Sequence, residues 1–435
     1  MLNFMMNNNY PLIDYMEKYE SIMVFDKNKN VFVHRWYPFV EGYSKEFIES
    51  ILNELPQKPQ CVLEPFCGSG TTPVEMQNHD IRCYSFDVSP FMHLLAKVKM
   101  ERTYDEDSFM RYVRLVTKKL SRCISNIRET EPLPFGDTVV KPGLRQKWNF
   151  HDSAIDGIME IRNAIRTTVD DNRYKNLFTI ALASILMKSS NMFRNGKCLS
   201  YKKGWETRIL TRKDVHDFFL ERLNSVFAED IRIISKNTPL VHNSEVCYLG
   251  DVREHINKVP DNEIDLIITS PPYLNSRDYT DIYMLELKTL QLVSSYEDLR
   301  ALRGSTIRSH VQVKYADISP IDNDRLRECL ERMKDCQTST WNSDILNMIC
   351  GYFDDMQLLF KAFYQKVRTG GTIFFNVANS AYFGVEVPVD YIIADIASDV
   401  GFKVREIRKA RDLKPSPQQS KKIAKLRESV IVIDK

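Results

Sequence analysis

The chain has 435 residues, of which 43% are hydrophobic and 27% charged, and its formal net charge is +2. This composition is typical of a globular protein and excludes a polycation, so a surface for nucleic acid must be a local basic patch. The absence of a long apolar run, of signal-peptide features and of any C-x-x-C pair among nine cysteines predicts a cytoplasmic protein with reduced thiols, no membrane contact and no metal site.

The first regular elements lie between residues 45 and 100. Apolar spacing predicts a helix over 45–55, which Pro56 ends. Residues 57–100 then predict a strand, a glycine loop, a helix, a second strand ending at Asp87 and another helix. This β-α-β-α order implies a parallel sheet.

Residues 101–244 interrupt this alternation and predict a mainly helical insertion. Strands resume near 245 and at 265–269, followed by one helix over 280–293 and a charged insertion at about 295–350. A helix over 355–367 is expected to end at Gly370–Gly371, and two closing strands end the pattern. We therefore predict an α/β fold with a mostly parallel sheet, an antiparallel edge and a helical insertion. The predicted parts are 1–100, 101–244 (a candidate DNA-reading part) and 245–435.

The first candidate site is the loop "EPFCGSGTT", which begins at Glu64. Gly68 and Gly70 allow a tight turn and close approach of the backbone to a ligand. A phosphate-binding P-loop would need a lysine that is missing, and Pro73 replaces the third glycine of a dinucleotide-binding loop. A purely structural strand–helix turn is the alternative.

Acidic residues follow two other strands of the predicted sheet. Asp87 stands where a carboxylate binds a ribose hydroxyl in nucleotide-binding α/β units. Its alternative role is helix capping, for which Ser89 is equally suited. Asp251 ends a further strand, and a plain Gly-Asp turn is its alternative.

The sequence Ser270-Pro271-Pro272-Tyr273 follows the strand at 265–269. Neither proline has an N–H group for a sheet, so the strand must stop at a stiff corner. The corner would lie at the carboxyl edge of the sheet, where ligands bind in open α/β folds. Pro-Pro as a simple strand end is the alternative.

Together these motifs resemble the S-adenosylmethionine-dependent amino-methyltransferases of DNA, which methylate cytosine N4 or adenine N6. The resemblance covers roughly residues 30–100 and 245–435 and implies a Rossmann-like methyltransferase sheet. It implies that the cofactor lies against the glycine loop, that Asp87 holds its ribose and Asp251 its adenine, and that residues 35–48 close over its methionine end. The cofactor residues implied are Trp36, Glu64, Phe66, Cys67, Gly68, Gly70, Thr71, Asp87, Ser89 and Asp251.

The resemblance identifies "TSPPY" as the catalytic motif. A serine before Pro-Pro-Tyr is more frequent when the target is cytosine, and aspartate or asparagine when it is adenine. Ser270 Oγ and the Pro271 carbonyl would accept N–H groups of the target amine, Pro272 would hold the corner, and Tyr273 would stack on the base. The base must be flipped out of double-stranded DNA to reach this corner.

Three basic stretches are candidates for phosphate contacts, with a solvated charged surface as the alternative. The residues in these stretches that are predicted to contact DNA are Arg194, Lys197, Arg303, Arg308, Arg411 and Lys414. The leading hypothesis is a cytosine-N4 DNA methyltransferase that protects host DNA beside a cognate restriction endonuclease. An adenine-N6 enzyme, an RNA methyltransferase and a nucleic-acid-binding subunit without activity remain alternatives.

Overall fold

An eight-stranded sheet forms the centre of the protein in a computed structural model. The structure describes residues 10–435 except 123, 125, 132, 134, 136–146, 196–197, 238–245, 316–317, 337–342 and 417–421. The described strands of this sheet and of two small two-stranded sheets, β4-β5 and β9-β10, are in chain order β1 (Leu12–Asp14), β2 (Cys61–Glu64), β3 (Arg82–Asp87), β4 (Met192–Asn195), β5 (Cys198–Tyr201), β6 (Cys247–Leu249), β7 (Ile264–Thr269), β8 (Val367–Ala378), β9 (Ser380–Tyr382), β10 (Val385–Val387), β11 (Lys403–Leu413) and β12 (Leu426–Asp434).

The strand order in this sheet is β1-β11-β12-β8-β7-β2-β3-β6. The strands from β8 to β6 pair in parallel, whereas β12 is antiparallel to both of its neighbours. The carboxyl ends of β6, β3, β2, β7 and β8 therefore meet at one edge, together with the end of β11 and the start of β12. The predicted α/β fold with a Rossmann-like, mostly parallel sheet and an antiparallel edge is confirmed.

Helices cover the sheet and form most of the chain between β3 and β6. They are α1 (Met16–Tyr19), α2 (Lys45–Leu52), α3 (Thr71–Asn78), α4 (Pro90–Met100), α5 (Glu106–Leu120), α6 (Ile127–Thr130), α7 (Asp152–Thr168), α8 (Asn172–Ser189), α9 (Arg212–Arg222), α10 (Ala228–Lys236), α11 (Val252–His255), α12 (Tyr279–Ile282), α13 (Met284–Thr289), α14 (Tyr296–Gly304), α15 (Asp324–Asp335), α16 (Ser343–Lys366) and α17 (Val389–Val400). Among them, none that the structure describes is both long and apolar enough to span a membrane.

Two predicted helices differ from the structure. The helix expected over 355–367 is α16, which already begins at Ser343 and ends at Lys366, and the two glycines expected to end it lie within β8. A Cβ on Gly371 would lie 2.6 Å from Val367 Cγ1, so a glycine is needed where β7 and β8 pair with an irregular register. The helix expected over 280–293 is broken into α12 and α13 at Tyr283.

The helical insertion shares one apolar core with the N-terminal segment and the helices that follow the corner. This cluster includes Trp36, Phe91, Phe178, Phe219 and Tyr283, all buried. Two further clusters cover the two faces of the sheet. The insertion thus packs on the parts of the chain that surround the carboxyl edge, although its status as a separate domain stays a prediction.

Candidate active site

A cavity of about 370 Å³ opens at the carboxyl edge of the sheet. This volume is within the usual range for small-molecule sites, about 300–1,000 Å³. Most of the predicted site residues line it: Phe66, Cys67, Gly68, Thr71, Asp87, Ser89, Asp251, Ser270, Pro271, Pro272, Tyr273 and Arg411. Motifs that are more than 180 residues apart in sequence therefore share one cavity.

The cavity follows the order of the strands. The strand ends contribute to its lining, in their order across the sheet, Asp251 after β6, Asp87 at the end of β3, the glycine loop after β2, Ser270 after β7, Asn376 on β8, Glu428 on β12 and Arg411 on β11. At about 4.8 Å between neighbouring strands, these seven positions extend over about 29 Å. A long ligand and a second, flat ligand could therefore lie end to end above Ser270.

The glycine loop needs its two glycines for conformation and for space. Gly68 and Gly70 both have positive φ, 48° and 81°. A Cβ on Gly68 would lie 3.1 Å from the ring of Phe39, and one on Gly70 would lie 3.0 Å from Ala96 of α4. Gly68 lines the cavity, whereas Gly70 lies behind it and allows α3 and α4 to pack closely.

Asp87 holds the glycine loop to the end of β3. Its two carboxylate oxygens accept the N–H groups of Gly68 and Ser89, each at 2.8 Å. Burial raises the pKa of the carboxyl to about 7, although both amides act in the opposite direction. The Ser89 hydroxyl accepts the Met92 N–H and caps α4, so Asp87 keeps acceptor positions for a ligand at the cavity wall.

Asp251 has a structural role as well as a place in the cavity wall. Its carboxylate caps α11 through the Arg253 N–H and forms an ion pair with the Arg253 guanidinium at 2.5 Å. Arg253 also contacts Asp355 of α16, which fixes the loop after β6 against the helical layer. Asp251 therefore does more than the plain Gly-Asp turn that was its alternative, since it caps a helix and also lines the cavity.

Glu64 lies behind the cavity rather than in its wall. Only 1% of this residue is exposed. Its carboxylate accepts hydrogen bonds from the hydroxyls of Tyr43 (2.6 Å), Thr72 (2.9 Å) and Thr269, and from the Phe66 N–H (3.1 Å). Glu64 therefore joins the end of β7, the glycine loop and the segment before α2, and contacts with a ligand would be indirect.

Glu64→Gln will remove a contribution to stability that decreases as the pH rises. Burial raises the pKa of Glu64 to about 7, so between about pH 5 and pH 8 this carboxyl binds more protons in the folded state than in the unfolded state. Its contribution to the free energy of unfolding therefore falls over this range, and glutamine, which does not titrate, lacks it. Other buried groups, such as Asp87 with a raised pKa and His34 with a lowered pKa, are present in both proteins and cancel in the comparison. Urea unfolding at about pH 5 and about pH 8 gives the change in the free energy of unfolding for each protein, and equal changes in the two proteins would contradict this assignment.

The Ser-Pro-Pro-Tyr corner is held by a polar network that the sequence did not reveal. The Ser270 hydroxyl donates to Tyr273 Oη (3.2 Å), and Tyr273 donates to Glu428 Oε1 (2.6 Å). Asn376 Nδ2 donates to Tyr273 Oη (2.7 Å) and to Glu428 Oε1 (3.1 Å), and Arg411 pairs with the other carboxylate oxygen. Burial, reinforced by Glu428, raises the pKa of Tyr273 well above its ordinary value, so its hydroxyl stays protonated.

The segment between residues 35 and 48 closes one side of the cavity. Phe39 and Glu41 line the cavity, and Glu41 forms an ion pair with Arg277 of the loop after the corner. Trp36 lies elsewhere. It is fully buried and stacks on Phe227, with 5.3 Å between the ring centroids, and it does not line the cavity. Its predicted contact with a cofactor therefore has no support in the structure.

The predicted phosphate ligands have different surroundings. Arg194 pairs with Glu286, Arg303 with Asp278 and Asp281, and Arg308 with Asp354 and Asp355. These three guanidiniums are thus used within the chain, which makes them poor candidates for DNA contacts. Arg411 lines the cavity beside Glu428, Lys414 is exposed, and Lys197 lies outside the described residues.

The described side chains that could together hold a metal ion lie away from the cavity. Within the part of the chain that the structure describes, the group close enough to hold a metal is Glu49, Glu75 and His79. None of these residues lines the cavity. Asn78 Nδ2 donates to Glu75 Oε1 at 3.3 Å, and His34 Nε2 shares a hydrogen bond with the same oxygen at 2.7 Å.

Comparison with known proteins finds relatives of one kind. No family model matches the chain. The chain is 26% identical over 469 aligned positions to the type II methyltransferase M.BsoBI of Geobacillus stearothermophilus, an alignment that covers 95% of this chain and 88% of the relative. This chain is similar, over almost its whole length, to type II methyltransferases.

Two other relatives carry the same description. The type II methyltransferase M.AvaI of Anabaena variabilis is 25% identical over 427 positions, which cover 91% of this chain and 85% of the relative. M.MvaI of Kocuria varians is 25% identical over 270 positions, which cover 58% of this chain and 55% of the relative. The first two alignments extend through the helical insertion, so the similarity is not confined to the glycine loop and the corner.

Proposed function

We propose that this protein is a DNA methyltransferase that transfers the methyl group of S-adenosylmethionine to the exocyclic amine of a flipped base. Cytosine N4 is the leading target. The observation that carries the proposal is that the glycine loop, Asp87 and the Ser-Pro-Pro-Tyr corner line one cavity in the order of the strands. Similarity to type II methyltransferases over most of the chain supports the same activity.

The cavity residues suit S-adenosylmethionine. Asp87 offers carboxylate acceptors to a ribose diol, and Gly68 lets the backbone approach the ligand without a side chain. Asp251 lies beyond Asp87 in the strand order, where the adenine ring would be placed. The bound cofactor supplies an electrophilic methyl group on a sulfonium ion.

The corner supplies acceptors for the amine that receives the methyl group. The lone pair of an exocyclic amine is delocalised into the ring, so the nitrogen must become pyramidal to react. Ser270 Oγ and the Pro271 carbonyl would each accept an N–H, which orients the lone pair. The ring of Tyr273 would stack on the base, a contact worth about 1–3 kcal/mol. Alignment of this kind can contribute about 7–11 kcal/mol to lowering a barrier.

DNA is the proposed partner because such a corner needs an extruded base. Flipping costs a few kcal/mol, and phosphate contacts would help to offset this cost. The exposed Lys414 near the end of β11 is placed for such contacts. We propose a cytoplasmic enzyme that protects host DNA from a cognate restriction endonuclease, which need not bind it.

Sequencing tests the proposal most directly. The protein is expressed in a host without other methyltransferases, and the genomic DNA is sequenced by a method that distinguishes N4-methylcytosine from N6-methyladenine. N4-methylcytosine in one short recurring sequence is the expected result. N6-methyladenine would replace the leading target with the alternative, and unmodified DNA with methylated RNA would contradict a DNA substrate.

Asp87→Asn will weaken the binding of S-adenosylmethionine by about tenfold or more. A hydrogen bond to a charged acceptor contributes about 1.5–3 kcal/mol, and asparagine loses both the charge and one acceptor oxygen. Calorimetric titration at about pH 8, where Asp87 is ionised in the free protein, measures the change. The exposed Asp107→Asn is the control variant, and equal affinities of the two variants would contradict the role of Asp87.

A further inference from the structure

The polar network under the corner raises the question of where a proton goes. Methylation of an amine leaves an N–H proton that must depart, because the nitrogen cannot keep it without losing conjugation with the ring. Among the described residues, no histidine, aspartate or glutamate forms a hydrogen bond with Ser270. The direct described partners of its hydroxyl are Tyr273 and Asn376, and neither is a base at neutral pH.

The hydrogen bonds nevertheless lead from Ser270 to a carboxylate. Ser270 donates to Tyr273, and Tyr273 donates to Glu428, so the two hydroxyl protons point in one direction. Asn376 Nδ2 donates to both Tyr273 Oη and Glu428 Oε1, which fixes the orientation of its amide and leaves Tyr273 to donate to the carboxylate. A Ser270 hydroxyl that donates to Tyr273 and accepts the Asn376 amide at 3.4 Å keeps one lone pair for the amine.

A second observation indicates that a ligand completes this network. Asn376 is 2% exposed and lines the cavity, but its Oδ1 atom has no hydrogen-bond partner among the described residues. A buried amide oxygen without a donor costs about 1–3 kcal/mol. Because Nδ2 is committed to Glu428 and Tyr273, Oδ1 is available to an N–H donor that enters the cavity beside Ser270.

We propose that Ser270, Tyr273 and Glu428 form a proton relay that carries the amine proton away from the target base. As the nitrogen–carbon bond forms, the carbon–sulfur bond of the donor breaks and its electron pair stays on sulfur. The N–H proton passes to Ser270 Oγ, the Ser270 proton to Tyr273 Oη, and the Tyr273 proton to the Glu428 carboxylate. This inference rests on the proposed function and adds a role for the Tyr273 hydroxyl that stacking does not require.

Arg411 and Asn376 position the end of the relay. Glu428 is 1% exposed, and its charge is balanced by the ion pair with Arg411. The strand register brings Arg411, Glu428 and Asn376 together. Arg411 of β11 is opposite Glu428 of β12, and Asn376 of β8 is opposite Val430, which follows Glu428 by two residues on the same face of β12. Glu428 and Arg411 both line the cavity, so the proton can return to solvent when the methylated base leaves.

Tyr273→Phe tests the relay, because phenylalanine keeps the ring and removes only the hydroxyl. We expect the single-turnover rate of methyl transfer to fall about a hundredfold, as for loss of a positioned base. Cofactor affinity by calorimetry and base extrusion, followed by the fluorescence of 2-aminopurine at the target, should stay within about twofold. Tyr352→Phe is the matched control, because that buried hydroxyl has no partner among the described residues.

Glu428→Gln and the double variant complete the experiment. Glu428→Gln should slow transfer as much as Tyr273→Phe, and the double variant should be no slower, because either change interrupts the same path. Glu428→Asp should recover part of the rate. A Tyr273→Phe variant that transfers the methyl group at the wild-type rate would overturn the relay. So would a double variant whose loss in rate combines the losses of the two single variants in full. Wild-type protein that methylates no DNA would instead overturn the proposed function.

Discussion

Ser270→Ala will lower the single-turnover rate of methyl transfer by about 10²–10³-fold, the range seen when one positioned polar group is removed from an active site. Alanine has no oxygen to accept the amine N–H, so of the two acceptors at the corner only the Pro271 carbonyl would remain. Affinity for S-adenosylmethionine should change by less than about twofold, because Ser270 follows β7 whereas Asp87 and Asp251 follow β3 and β6.

The measurement uses a duplex that contains the sequence found by genomic sequencing, with enzyme in excess over DNA. Ser294→Ala is the matched control, since Ser294 is exposed and does not line the cavity. A Ser270→Ala variant that transfers the methyl group as fast as this control would show that the Ser270 hydroxyl has no catalytic role. Loss of cofactor binding together with activity would show instead that Ser270 supports the cavity as a whole.

Glu286→Ala will lower the free energy of unfolding by about 3–5 kcal/mol, the cost of leaving a buried charge without its partner. Glu286 is fully buried in α13, accepts a hydrogen bond from the Tyr37 hydroxyl and pairs with Arg194, each at 2.7 Å. Burial lowers the pKa of Arg194, but Glu286, Tyr37 and Tyr283 together outweigh burial and the net shift is upward. This guanidinium therefore stays charged and would lose its counter-ion.

Chemical denaturation measures this loss. Glu297→Ala is the control, because Glu297 is 74% exposed in its pair with Arg300 and such surface pairs contribute about 0–1 kcal/mol. Combining Glu286→Leu with Arg194→Met should recover much of the stability, since apolar residues can replace a buried ion pair. A Glu286→Ala variant that loses less than about 1 kcal/mol would contradict the prediction.

The parts of the site that could be predicted are those that short segments specify. The glycine loop, Asp87 and the proline corner are each set by residues next to a strand end, and the parallel arrangement brings strand ends together. The strands themselves were predictable because β2, β3 and β7 are apolar and bounded by turn residues. The irregular start of β8 was not, because Gly370–Gly371 looks like a helix end until β7 is placed beside it.

Residues that act through register could not be predicted. Asn376 and Glu428 reach the corner only because β12 lies between β8 and β11, and no local pattern specifies that pairing. One available signal was a lone polar residue within the apolar run of β8. Charge was equally uninformative about Arg194, Arg303 and Arg308, since a basic residue does not indicate which carboxylate of its own chain it will contact.

The pairing of β2 with β7 has a consequence for how the chain folds. Leu63 of β2 is opposite Ile267 of β7, so all the described helices from α3 to α11 lie in the loop that this pair closes. Contacts within helices form early because they are local, whereas closing a long loop costs entropy and is slow. We infer that the helical insertion becomes ordered before the central strands meet, and that the apolar β7 edge stays open to self-association during that interval.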